Sequence, residues 1–131
     1  MTLYNFVAKY LGQFMQAPGG IGGQCVDLAN LYLIECRSQA AVRQNAIDWH
    51  NVTVPGMTWQ PNGPVNSPPS GSLVVWGASA EVGTGQYGHI ALALAGDPSH
   101  FVSFDQDWPL NSPAALTLHS YIGVLGWLRP G

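Results

Sequence analysis

Apolar residues recur at helical spacing near the start of the chain. Leu3, Phe6, Val7, Tyr10, Leu11 and Phe14 follow the i, i+3, i+4, i+7 rule of an amphipathic helix, with Thr2 placed to cap it. The pattern predicts a helix over residues 3–15, ended by the glycines between Gly19 and Gly23. A second stripe of Val26, Ala29, Tyr32, Leu33 and Cys36 predicts a helix that begins at Cys25. A short third helix is expected over residues 39–48. Residues 51–70 hold Pro55, Pro61, Pro64, Pro68 and Pro69, which predicts a surface loop without regular structure. The apolar runs then shorten to strand length, at residues 73–76, 89–95, 101–108, 116–121 and 124–128. Helices first and strands after imply an α+β fold, with N-terminal helices packed on a C-terminal antiparallel sheet.

Length and composition agree with that reading. At 131 residues one core and a single domain over 1–131 are expected. No internal repeat or linker interrupts the chain. Only 8% of residues are charged while 47% are apolar, the balance of a loop-rich globule and not of a disordered tail. Four basic against seven acidic residues give a net charge of −3. That excludes the basic patch that nucleic-acid binding needs, and it argues against electrostatic adhesion to an anionic surface. No apolar run approaches the roughly 20 residues of a membrane span, and residues 1–15 lack the features of a signal peptide.

The chemistry centres on Cys25, in Gly22-Gly23-Gln24-Cys25-Val26-Asp27-Leu28, where glycines give way to a helix. A helix N-terminus favours a thiolate, because unpaired N–H groups and the helix dipole both attract the anion. The same backbone N–H groups, with the Gln24 side chain, are candidates to bind an oxyanion formed when sulfur attacks a carbonyl. A nucleophile needs a base, and His89 opens an apolar strand after a glycine-rich loop, in Tyr87-Gly88-His89-Ile90-Ala91. An imidazole needs an orienting acceptor, and Phe104-Asp105-Gln106-Asp107-Trp108 offers two carboxylates on one face of a strand. Each piece alone is common in a structural role. Their combination in chain order reads as a cysteine hydrolase.

The remaining candidates carry less. Cys36 lies eleven residues beyond Cys25, about 16 Å along a helix at ~1.5 Å per residue. A disulfide requires Cα atoms within about 7 Å, so Cys36 is expected to be a core residue. His50, His100 and His119 show none of the close ligand spacing of zinc sites. Trp59 in the proline-rich segment and Trp108 are candidates to line a substrate groove. Trp76 and Trp127 are expected in the core.

These motifs resemble, as an ordered set, the CHAP domain, the cysteine- and histidine-dependent amidohydrolase/peptidase module of bacteriophage endolysins and bacterial wall hydrolases. The matching stretches are Gly23 to Leu28, Ser70 to Gly77, Tyr87 to Ala91, Phe104 to Trp108, and His119-Ser120-Tyr121 with Gly126 to Pro130. The resemblance implies a papain-like fold of the NlpC/P60 type, no cofactor, and hydrolysis of an amide bond in bacterial peptidoglycan through a thioester acyl-enzyme. It makes Cys25 the nucleophile, His89 the base and Asp105 the orienter, with Asp107 as a further member. Asp105 stands where the family commonly has Glu, and Asp107 where it often has Asn. Ser72 replaces the aspartate of the Pro-Gly-Asp that usually opens the family's strand after the long loop. Some members carry an acidic calcium loop before the cysteine; the matching residues 17–23 hold no carboxylate, so no metal is expected. A monomer is expected, held in the host cytoplasm until a separate pore releases it to the wall.

Two other functions remain open at this level. One is an interbacterial amidase toxin with the same dyad. The other is a non-catalytic wall-binding or virion structural module, which would have no need of Cys, His and an acceptor together. The scissile bond, a muramoyl–alanine amide or a stem or cross-bridge peptide bond, and the host range are not written in these residues.

Overall fold

The Thr2 hydroxyl accepts the Asn5 N–H at 3.1 Å and starts α1, Leu3–Tyr10. In the computed structural model, which describes residues 1–79 and 81–131, this helix stops five residues before the end expected for it. Gly12 takes a φ of +81°. Its N–H donates to the Ala114 carbonyl at 2.8 Å, and the Ala114 N–H returns to Gln13 at 2.9 Å. Those distant backbone partners draw the chain out of the helix, and Leu11 and Phe14 are left exposed. Periodicity overran the helix because the competing bonds come from a segment a hundred residues away.

Cys25 is the first residue of α2, Cys25–Arg37, whose stretch from Asp27 to Leu33 is buried. The third helix expected over residues 39–48 is not formed. Asn30 on α2 clasps the backbone of Val42, donating from Nδ2 to its carbonyl at 3.0 Å and accepting its N–H at 2.7 Å. With its backbone bonds taken by Asn30 the segment forms no α-helix, and a 3-10 helix, Ala46–Asn51, follows.

The strands are β1 Met57–Pro61, β2 Leu73–Trp76, β3 His89–Gly96, β4 Phe101–Asp105, β5 Ala115–His119 and β6 Val124–Pro130. They form one antiparallel sheet in the order β1-β6-β2-β3-β4-β5. The proline-rich segment was expected to hold no regular structure, and β1 corrects this. It pairs on one side only, with β6, and its proline is the last residue, where an edge strand tolerates one. The five remaining strand segments lie near their expected bounds, except that β4 ends at Asp105, short of the expected Trp108.

All of Leu73–Trp76 is buried because both faces of the sheet are covered. One face packs Leu73, Val75, Ile90, Leu92 and Phe104 against Phe6, Leu28, Ala29, Leu33 and Trp49. The other gathers Val74, Trp76, Ala91, Ala93, Phe101 and Trp127. Trp76 pairs with His89, Ala93 with Ser103, and Phe101 with His119, so His89, Ser103, Asp105 and His119 fall on this second face.

Candidate active site

The loop before Cys25 is shaped by a carboxylate. Asp27, in the first turn of α2, is buried and accepts three backbone N–H groups: Ala17 at 3.0 Å, Gly22 at 3.0 Å and Gln24 at 3.1 Å. Its charge also suits the positive end of the helix. Gly20 passes so close that a Cβ there would stand 2.0 Å from Asp27 Oδ1, which only glycine permits. The loop residues therefore wrap a carboxylate, and Cys25 is delivered half-buried at the head of the helix.

A second clamp comes from the end of β4. Gln106 is fully buried; its Oε1 accepts the Met15 N–H at 2.6 Å, while Nε2 donates to Met15 O at 3.1 Å and Gln24 O at 2.8 Å. The residue before Cys25 is thus tied directly to the strand that carries Asp105.

His89 begins β3 beside Gly88, whose φ is +70° and whose Cβ position would lie 2.3 Å from the Trp76 carbonyl. Glycine is the residue that can turn the chain there. The Tyr87 carbonyl accepts the Ile47 N–H at 2.8 Å, fixing the approach to the histidine. His89 Nε2 donates to Asp105 Oδ2 at 2.8 Å, and both groups are buried. Cys25 is the other group that favours the charged His89 ring, and with Nε2 taken by Asp105 the nitrogen left to face the sulfur is Nδ1. Burial by itself would push the imidazole down. The hydrogen bond to Asp105 and the neighbouring Cys25 outweigh it and raise the His89 pKa to about 9. Burial pushes the Asp105 carboxyl the opposite way, up, but hydrogen bonds from His119 and His89 prevail and hold it below its ordinary value. Ser103 Oγ donates to the other oxygen, Oδ1.

The structure brings Cys25, His89 and Asp105 together and places Asp107 elsewhere. The expectation that Asp105 and Asp107 share a strand face fails because β4 ends at Asp105 and Asp107 takes a φ of +63°. The Asp107 carboxylate accepts the Asn111 N–H and closes a turn at the edge of the cleft. Trp59, expected in a groove, lies instead on β1, packed on the core with its ring 6.2 Å from that of His50. Trp108 covers His89, with ring centroids 4.8 Å apart, and does not line the cleft. Cys36 is free and half-buried, and burial raises its thiol pKa.

In front of Cys25 lies a cleft of about 520 Å³, lined among others by Gln24, Val26, Tyr87, Gly88 and Leu110. It continues past Ile21 and Leu110 into a hollow of about 440 Å³ beside Phe14 and Gly22. Ile21, Tyr87, Leu110 and Phe14 are all exposed large apolar residues on this rim. Cys25 and Val26 occupy the first two helical positions, where N–H groups have no intrahelical acceptor. Among the described residues no group of three His, Cys, Asp or Glu is arranged to hold a metal ion.

Sequence reasoning passed over Asp27, Gln106, Ser103 and His119 as site residues. Asp27 carried a readable signal, an acid in the first turn of the Cys25 helix. Gln106 and His119 carried none, since their partners lie on elements far away in the chain.

A cysteine heading a helix, with histidine and carboxylate supplied by neighbouring strands of an antiparallel sheet, is the arrangement of the papain-like class. The family model described as the CHAP domain matches residues 15–102, and the chain belongs to that family. Among solved structures, the wild-type endolysin LysIME-EF1 superposes with a TM-score of 0.80 at 27% identity, covering 96% of this chain and 61% of that one. Ly7917 gives a TM-score of 0.68 at 19% identity, with 96% and 59% covered. PlyC gives 0.67 at 17%, with 97% and 34% covered, and these two likenesses concern the fold alone. The chain therefore spans about three-fifths of the length of LysIME-EF1. Among curated proteins no sequence matches. No helix among the described residues is long and apolar enough to cross a membrane.

Proposed function

We propose that this chain is a peptidoglycan hydrolase that cleaves an amide bond of the bacterial wall through a Cys25 thioester, with residues 1–131 as one catalytic domain. The observation that carries the reading is Cys25 at the head of α2 in an open cleft, backed by the buried hydrogen bond between His89 and Asp105. Membership of the CHAP family and the likeness to an endolysin support the substrate class.

In this mechanism His89 Nδ1 takes the Cys25 proton, and Sγ attacks the carbonyl carbon of the scissile amide. The oxyanion that develops is met by the backbone N–H of Cys25, with the Gln24 side chain beside it. As the tetrahedral intermediate collapses, the C–N bond breaks and the His89 imidazolium passes its proton to the leaving amine. Water, deprotonated by His89, then attacks the thioester and releases the carboxylate and free Cys25. Asp105 holds the His89 ring in the tautomer with its proton on Nε2 and stabilises the imidazolium without taking that proton. The exposed Tyr87, Ile21, Leu110 and Phe14 give the cleft an apolar rim suited to the methyl-bearing peptide of peptidoglycan. No cofactor enters this chemistry. We further propose that the protein acts as a monomer and reaches the wall from the host cytoplasm through a separate pore.

Zymography over purified bacterial walls tests the reading: a clear band for the parent protein and none for Cys25→Ala supports it. Clearing by both proteins removes it.

A further inference from the structure

Asp105 Oδ2 accepts two histidines at once, His89 Nε2 at 2.8 Å and His119 Nε2 at 2.9 Å. His119 is the last residue of β5, and no step of the mechanism above uses it. Its ring is buried beside Trp76, Phe101 and Trp108, at centroid distances of 4.7, 5.4 and 5.3 Å. A structural histidine in such an aromatic nest has no need to aim its N–H at the oxygen that already serves His89. An ionised carboxylate only accepts, so both Nε2 atoms carry protons, and the two donors divide one oxygen between them.

We propose that His119 is a positioning residue that acts through Asp105: by taking a share of the Oδ2 charge it limits the basicity of His89 and keeps its imidazolium able to release a proton to the leaving amine. The proposal rests on the reading of His89 as the proton carrier. A general acid works best with a pKa near the operating pH. An undivided buried carboxylate would hold the His89 proton more tightly, favouring its uptake from Cys25 but slowing its delivery. The groups facing this cluster are few. Asp105 and the Ser103 hydroxyl come from β4, His89 from β3 and Cys25 from α2, while Trp76 and Trp108 contribute no titrating group.

The test is an NMR titration of the His89 ring in the full chain without substrate, so it reads the proposal even if wall hydrolysis were disproved. H119F keeps a flat ring and withdraws the donor; H119N stays polar but is too short to reach. Both should raise the His89 titration by about half to one pH unit. H119Q, whose amide nitrogen sits near the position of imidazole Nε2, should return it to within about 0.3 unit of the parent. On walls, the first two variants should lose about tenfold in kcat with KM held within about twofold, as expected when proton delivery and not binding is impaired. If H119F does not fold, H119N carries the test. A His89 titration unmoved or lowered in folded H119F or H119N, or unrecovered in H119Q, overturns the proposal.

Discussion

Gln106 closes a two-way clasp on the backbone of Met15, 91 positions away in sequence, accepting its N–H at 2.6 Å and donating to its carbonyl at 3.1 Å. A third bond, to the Gln24 carbonyl at 2.8 Å, extends the clasp to the residue before Cys25. One amide thus sets the separation between the helix that carries sulfur and the strand that carries the carboxylate. Gln106→Ala leaves the buried Met15 N–H without its partner, while the Met15 and Gln24 carbonyls keep the N–H groups of Gly23 and Asp27, at a cost of about 1–3 kcal/mol. Thermal unfolding should show a Tm lower by several degrees, and the folded fraction should still lose activity. A variant with parental Tm and activity would show that the clasp positions nothing.

The two aspartates should separate by function. Asp105→Asn keeps the size but lessens the hold on two histidines, and it should lower kcat by about two to three orders of magnitude, as an altered orienter does. Asp107→Asn removes a turn-closing charge at the cleft edge and should cost at most about threefold. The loss at Asp105 should stay below that of Cys25→Ala, because an orienter forms no bond with substrate. Kinetics of the two single variants and the double variant decide the matter, and a more damaging Asp107→Asn reverses the assignment.

The pH profile follows from the raised pKa of His89. With His89 at about 9, against an ordinary value near 6.5, the imidazolium persists through neutrality and is lost as pH rises through about 9. The alkaline limb of kcat/KM should therefore fall near pH 9. In Asp105→Asn, which removes the first cause that raises it, the limb should move to lower pH. Stability carries the same sign: the contribution of His89 is complete below about pH 6.5 and fades as pH climbs toward 9. Asp105, held below its ordinary value near 3.8, contributes above that pH and loses its contribution as pH falls further. Denaturant titrations at pH 5, 7 and 9.5 check this, and stability rising between 7 and 9.5 contradicts it.

Metal independence is the fourth expectation. The segment ahead of Cys25 holds no carboxylate, and both Asp27 oxygens are engaged by backbone N–H groups. Calcium asks for six or more oxygen ligands. Activity should survive EDTA unchanged and gain nothing from added calcium; a loss on chelation that calcium restores would overturn this.

What the sequence disclosed follows physical range. The Cys25 helix, the His89 strand and the α+β order rest on local periodicity and on glycines at sharp turns, and these are readable from neighbouring residues. The false third helix and the overlong first one were decided by Asn30 on Val42 and by Ala114 on Gly12 and Gln13, contacts that periodicity does not contain. Asp107 was misplaced because alternation was carried two residues past the end of β4, where a positive φ turns the chain. His119 and Gln106 stayed hidden for a related reason: each acts on a residue that only the sheet register or a loop crossing brings near. Trp59 looks like a groove residue from sequence because the prolines of its segment suggest a loop, whereas pairing with β6 makes it a strand residue.

The most direct measurement of the central claim is the release of new amino groups from purified peptidoglycan, followed by mass spectrometry of the products, for the parent chain and for Cys25→Ala. Cys25 lies in the open cleft, while Cys36 is half-buried on the far end of α2. The account predicts steady amine release by the parent chain, release abolished by Cys25→Ala and by alkylation at Cys25, and undiminished release from Cys36→Ala. Amine release by folded Cys25→Ala at a rate near that of the parent would contradict it.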